Sequence, residues 1–224
     1  MTELSYAVIP GAGCAGLTWA EVAGELGATV LKIPDLTDIV AIASELEQGV
    51  AELPAPRVLI GASFGAMVAL EIARNVEVHG LVLVAAGFGI TVSDRLIDWM
   101  VRNPPDLWRK MAKICLGGRE DPELIEAIVA DYVAGGHAEH IHHSTALANY
   151  APQPLDDPPP TFVLWGVDDP AVPRDDHLEL ALRCRGALIP IAGAAHVPFL
   201  QQPRVTLAWI RRLGALAAEP SCRT

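Results

Sequence analysis

Apolar residues in this chain fall into two kinds of run. Short, continuous, β-branched-rich stretches at 6–9, 28–33, 57–62 and 80–86 read as strands buried on both faces. Between them, at 17–26, 36–53 and 64–74, apolar positions recur at helical spacing. That alternation predicts a parallel sheet with right-handed crossover helices. It breaks at Thr91, and from there to Tyr150 the pattern is helical with no convincing strand. After the proline-rich APQPLDDPPP it resumes as strand 161–166, helix 175–184, strand 187–192 and helix 199–216. The expected organisation is an α/β core made of 1–90 and 151–224, with 91–150 inserted as a helical lid.

Chemistry enters at the third strand, where VLIGASFGAMVAL sets Ser63 between Gly61 and Gly65, at a strand-to-helix turn. Serine is a poor nucleophile at neutral pH, so its oxygen must be exposed, aimed, and set beside a base and an oxyanion site. In a sharp turn the residues two before and two after the serine come close together, and glycine avoids the clash of a Cβ. The helix that follows brings free N–H groups and its positive dipole end to where negative charge would develop. A catalytic serine also needs a base and an orienting acid from other strand ends. WGVDDPAVP closes the penultimate strand, and AAHVPFLQQP, carrying His196, follows the last one. A neutral imidazole accepts the serine proton and returns it to the leaving group.

The ordered set PGAG, GASFG, WGVDDPAVP and AAHVPFLQQP resembles the α/β-hydrolase superfamily, carboxylesterase-like serine hydrolases in particular, over nearly the whole chain apart from the insertion. The resemblance implies an α/β-hydrolase fold with about six parallel strands, in spatial order 4-3-5-6-7-8 by family numbering, the first two strands being missing. It implies Asp169 as the acid, because Gly166, Asp169 and Pro173 match the family's G-x-x-D-x-x-x-P; Asp168 is the rival. It implies an oxyanion hole formed by the backbone N–H groups of Phe64 and Ala12, with PGAG standing in place of His-Gly-x-Gly, so that Pro10 departs from the usual histidine. The implied activity is hydrolysis of small-molecule carboxylic esters through an acyl-enzyme, without a cofactor. Lactone opening, thioester hydrolysis, C–C bond cleavage and perhydrolysis use the same triad, and a non-catalytic hydrolase-fold receptor is the reading from another class.

Composition narrows the partners. Across 224 residues the net charge is −11, which argues against nucleic acid and anionic membranes. No apolar run is long enough for a membrane span and no signal-like segment opens the chain, so a cytoplasmic protein is expected. Cys14, Cys115, Cys184 and Cys222 lack metal-ligand spacing and are expected as reduced thiols. Trp99, Met100 and Trp108 in the insertion, with Phe88 after the fourth strand, are candidates for an acyl pocket or for lid core. His137, His140, His142 and His143 include i,i+3 pairs able to share a helix face, but nothing completes a catalytic set, and a polar lid surface rather than a metal site is expected. Finally, residues 91–119 carry six basic side chains against three acidic ones, a local charge of +3. AAHVPFLQQP is also similar to pimeloyl-acyl-carrier-protein methyl esterases, which implies an acyl carrier protein held by Arg102 and Arg109, although Pro104-Pro105 must interrupt a shared helix.

Overall fold

The structure is a computed structural model describing residues 4–218. Six strands, β1 (Ser5–Ile9), β2 (Thr29–Val30), β3 (Arg57–Ala62), β4 (Gly80–Val84), β5 (Thr161–Gly166) and β6 (Ala187–Ile191), form one parallel sheet in the order β2-β1-β3-β4-β5-β6. This is the spatial order that the resemblance implied. Helices α1 (Ala20–Leu26), α2 (Ile39–Ala51) and α3 (Phe64–Asn75) connect the first four strands. Four helices, α4 (Asp94–Arg102), α5 (Leu107–Cys115), α6 (Pro122–Gly135) and α7 (His137–Ala148), then occupy the stretch expected to be helical. The chain closes with α8 (Arg174–Arg183) between β5 and β6, then α9 (Pro198–Gln201) and α10 (Pro203–Ala218).

Successive strand residues enter opposite layers. Ala7, Ile9, Leu59, Leu81, Leu83 and Val163 pack beneath α2, α3 and α8, whereas Tyr6, Val8, Val58, Ile60, Val82 and Leu164 pack beneath α1, α6 and α10. Both faces are covered, which is why the strands read as continuous apolar runs rather than as alternation. In the insertion, α6 packs on α5, on α7 and on the 3-10 turn Leu17–Trp19, while α7 also reaches α2 and α3.

Three boundaries differ from expectation, each for a local reason. The second strand pairs only at Thr29 and Val30, because it lies at the sheet edge with one neighbour and its last ladder bond is Leu31 N–H to Val8 O before Pro34 turns the chain away. The second helix begins at Ile39, where Asp38 accepts the Ala41 N–H at 2.8 Å and sets the start. The last helix is split at Gln202, since Pro203 has no N–H with which to continue α9 and instead opens α10. Cys222 lies outside the described residues.

All six strands run the same way, so the loops after β1, β3, β5 and β6 leave from one edge of the sheet. Those loops hold Ala12, Ser63, Asp169 and His196. Hydrogen bonds extend the ladder past the strand ends, from Ser63 N–H to Val84 O at 2.8 Å and from Asp168 N–H to Ala194 O at 2.9 Å, and stiffen that edge.

Candidate active site

Ser63 stands between β3 and α3 with φ 50° and ψ −116°. A non-glycine residue held there stores about 1–3 kcal/mol, which the surrounding packing must offset. The two glycines are sterically required. A Cβ on Gly61 would lie 2.3 Å from the Gly65 carbonyl oxygen, and one on Gly65 would lie 2.2 Å from the Ile9 carbonyl oxygen and 2.3 Å from that of Pro10. Glycine thus lets α3 approach β1 closely enough to lift the serine to the sheet edge. Phe64, the first residue of α3, is fully buried.

Across the edge, Asp169 and His196 form a hydrogen-bonded pair. Asp169 Oδ1 accepts N–H bonds from Ala171 at 2.8 Å and Val172 at 3.2 Å, and its Oδ2 lies 2.9 Å from His196 Nδ1. Burial opposes the charged carboxylate, but the His196 hydrogen bond and charge together with the two backbone amides outweigh it, and Asp169 is held below the ordinary carboxylate range. With Nδ1–H donating to Asp169, Nε2 of His196 is left as an acceptor. Asp168 points the other way, where its half-exposed carboxylate pairs with Arg119 at 2.6 Å. The His196 loop sits tight on β5: a Cβ on Gly166 would fall 1.9 Å from the Ala195 carbonyl oxygen, and His196 N–H donates to Cys115 O at 3.0 Å.

The loop after β1 is tied to the insertion. The Asp131 carboxylate of α6, fully buried, accepts the N–H groups of Gly16, Leu17 and Thr18 at 2.8, 3.0 and 3.0 Å and the Thr18 hydroxyl at 2.6 Å. Gly13, at φ 61°, passes so near α6 that a Cβ on Gly135 would lie 1.9 Å from its carbonyl oxygen. Asp131 was invisible to sequence reasoning because its partners are more than a hundred residues away. His177 also carries no sequence signal of a role: its fully buried Nε2 lies 4.0 Å from Asp169 Oδ2 and its Nδ1–H donates to Pro173 O at 3.0 Å.

Ala12, Ser63 and His196 share the wall of a cavity of about 210 Å³, closed by Ile90, Val92, Leu96, Met111, Ile114 and Phe199 among others. None of Phe88, Trp99, Met100 and Trp108 lines it. Trp108 turns instead into a cluster with Tyr132, His137 and His140, and Met100 is buried beside Ser144. Phe88 lies on the outer layer under the Arg183 guanidinium. The insertion helices are apolar on more than one face, and packing chose Leu96, Met111 and Ile114 for the cavity.

The histidine run is dispersed in the same way. His142 pairs with Asp35 on the surface at 2.7 Å, whereas burial, aided by His143 and His137, pushes His140 down to about 3 and keeps it neutral. Among the described residues no three His, Cys, Asp or Glu side chains are grouped as metal ligands. No helix among them is long and apolar enough to cross a membrane.

No curated protein sequence matches the chain. Solved structures similar to it include a thermophilic esterase from Thermogutta terrifontis at 22% identity, with 96% of this chain and 91% of that one aligned and a TM-score of 0.79. An esterase from Exiguobacterium antarcticum aligns at 16% identity over 95% and 92% with a TM-score of 0.82. The type II thioesterase BorB of the borrelidin biosynthetic cluster aligns at 19% over 95% and 93% with a TM-score of 0.72. Identities this low carry the fold alone. The alpha/beta hydrolase family profile, however, matches residues 8–209, from the first strand through both edge loops into the last helix. The chain therefore belongs to the alpha/beta hydrolase family.

Proposed function

We propose that the protein hydrolyses carboxylic esters through an acyl-enzyme formed on Ser63. The observation that carries this reading is the buried Asp169, bonded to His196 at 2.9 Å, with His196 and the strained Ser63 on the wall of one cavity. Ser63 Oγ attacks the ester carbonyl while His196 Nε2 takes its proton; Asp169 keeps the proton on Nδ1 and stabilises the imidazolium. The N–H groups of Phe64 and Ala12 receive the oxyanion. His196 then protonates the departing alcohol, and a water activated by the same nitrogen releases the acid and restores Ser63.

The cavity, about 210 Å³, is below the ~300–1,000 Å³ of typical ligand pockets, which favours short acyl groups. Small-molecule esters are favoured over carrier-linked ones. Arg109 pairs with Glu126, Lys110 with Asp106, Lys113 with Glu120 and Arg119 with Asp168, so four of the six basic insertion residues are already neutralised. Counted over 91–150 the insertion holds nine acidic against six basic residues. Free thiols at Cys14, Cys115 and Cys184 suit a cytoplasmic, reducing setting.

Fluorophosphonate labelling tests the reading. Label on Ser63 in the wild type, lost in Ser63→Ala, with p-nitrophenyl acetate and butyrate hydrolysed faster than the octanoate, is the expected result. An unlabelled wild type overturns it.

A further inference from the structure

The insertion reaches both sides of the proposed oxyanion hole through one side chain. His143 of α7 is 2% exposed, and its ring stacks on Phe64 with centroids 5.0 Å and planes 20° apart. Its Nδ1 lies 3.1 Å from the Gly13 nitrogen and its Nε2 lies 2.8 Å from the Pro34 carbonyl oxygen. A backbone N–H can only donate and a carbonyl can only accept. Nδ1 is therefore the bare acceptor and Nε2 carries the proton, which makes His143 a neutral imidazole of defined tautomer. Burial holds its basicity below the ordinary histidine value, against the pull of the Pro34 carbonyl, Asp35 and Glu139.

We propose that His143 is a positioning residue for both halves of the oxyanion hole, an inference that rests on the serine-hydrolase reading. Phe64 carries one donor amide, and Gly13 follows Ala12, which carries the other. The two belong to different loops, and the second is glycine-rich, with Gly11, Gly13 and Gly16 in seven residues. Such a loop has many conformations to lose, and α7 removes them by taking the Gly13 N–H, while the stacked ring fixes where Phe64 begins its helix. Oxyanion donors act only when about 2.7–3.1 Å from the developing charge, so two amides on independent loops need a common brace. His143 also anchors that brace to the loop after β2 through Pro34.

The role predicts loss in the transition state rather than in substrate binding. His143→Phe keeps the stack and removes the acceptor; kcat for p-nitrophenyl acetate should fall roughly ten- to a hundredfold, short of the ~10²–10³ for deleting a donor outright, with KM changed less than about twofold. His143→Asn offers an amide oxygen where Nδ1 stood and should recover most of the lost kcat. His143→Gln, which reaches toward Pro34 but not Gly13, should not. Should His143→Phe fail to fold, the Asn and Gln variants decide the matter between them. A fluorophosphonate-labelled wild type whose His143→Phe variant keeps full kcat, or loses it through KM, or is matched by both amide variants, overturns the positioning role alone. A wild type that takes no label overturns the hydrolase reading beneath it.

Discussion

Asp169→Asn is the substitution for which the structure dictates most of the outcome. The carboxylate makes three hydrogen bonds, two from the Ala171 and Val172 amides to Oδ1 and one between Oδ2 and His196 Nδ1. An asparagine at this position has one oxygen and one NH₂. Two backbone N–H groups can be satisfied only by the oxygen, so the NH₂ must face His196 Nδ1. That nitrogen can then no longer be a donor; the imidazole proton moves to Nε2, and the base presents a hydrogen to Ser63 where a lone pair is needed. In serine proteases the same tautomer error costs ~10⁴ in kcat, equivalent to about 5.4 kcal/mol of transition-state stabilisation, and a similar loss is expected here. Asp168→Asn is the internal control, because it removes only a half-exposed pair with Arg119, worth at most ~1 kcal/mol and less than a fivefold effect on kcat. Saturation kinetics on p-nitrophenyl acetate reads both variants, and ¹⁵N NMR of His196 reads the tautomer. A loss under tenfold in Asp169→Asn, or a greater loss in Asp168→Asn, would refute this assignment of the acid.

Further expectations concern stability. Gly65→Ala drives a Cβ onto two backbone carbonyl oxygens and should cost at least about 1–3 kcal/mol, seen as a melting point several degrees lower; Gly24→Ala, with open space around it in α1, should stabilise by roughly 0.5–1 kcal/mol. Asp131→Ala strands three amides and a hydroxyl and should lower the unfolding free energy by about 3 kcal/mol or more, read from urea titration; a change below ~1 kcal/mol would mean water replaces the carboxylate at no cost. His140, held neutral to about 3 in the fold, titrates near 6.5 when unfolded, so its contribution is complete above that value and is lost as pH falls from 6.5 toward 3. Between pH 7 and pH 5 it accounts for about 2 kcal/mol, and His140→Phe should flatten the pH dependence of urea unfolding by that amount.

What could be read from the sequence was local or periodic. Gly61, Ser63 and Gly65 between an apolar strand and an apolar helix specify their own geometry, because clash and backbone conformation act within a few residues. The parallel sheet was equally legible, since a strand covered on both faces leaves an unbroken apolar run and each crossover helix its own periodicity. Asp169 stood out from Asp168 only by family spacing; their environments differ because the turn after β5 buries one against His196 and turns its neighbour toward Arg119. The part of the cavity wall that the insertion supplies could not be read. Trp108 and Met111 are three residues apart on one helix, yet Trp108 packs on Tyr132 and His140 while Met111 meets the cavity. Asp131 looked like an unremarkable polar residue in an insertion, and His143 stood out only as one member of the histidine run. Their roles come from hydrogen bonds to glycine-rich backbone 113 to 130 residues away, and a backbone N–H carries no side-chain signature that would announce its partner. Only the docking of α6 and α7 on the first loop brings those groups together.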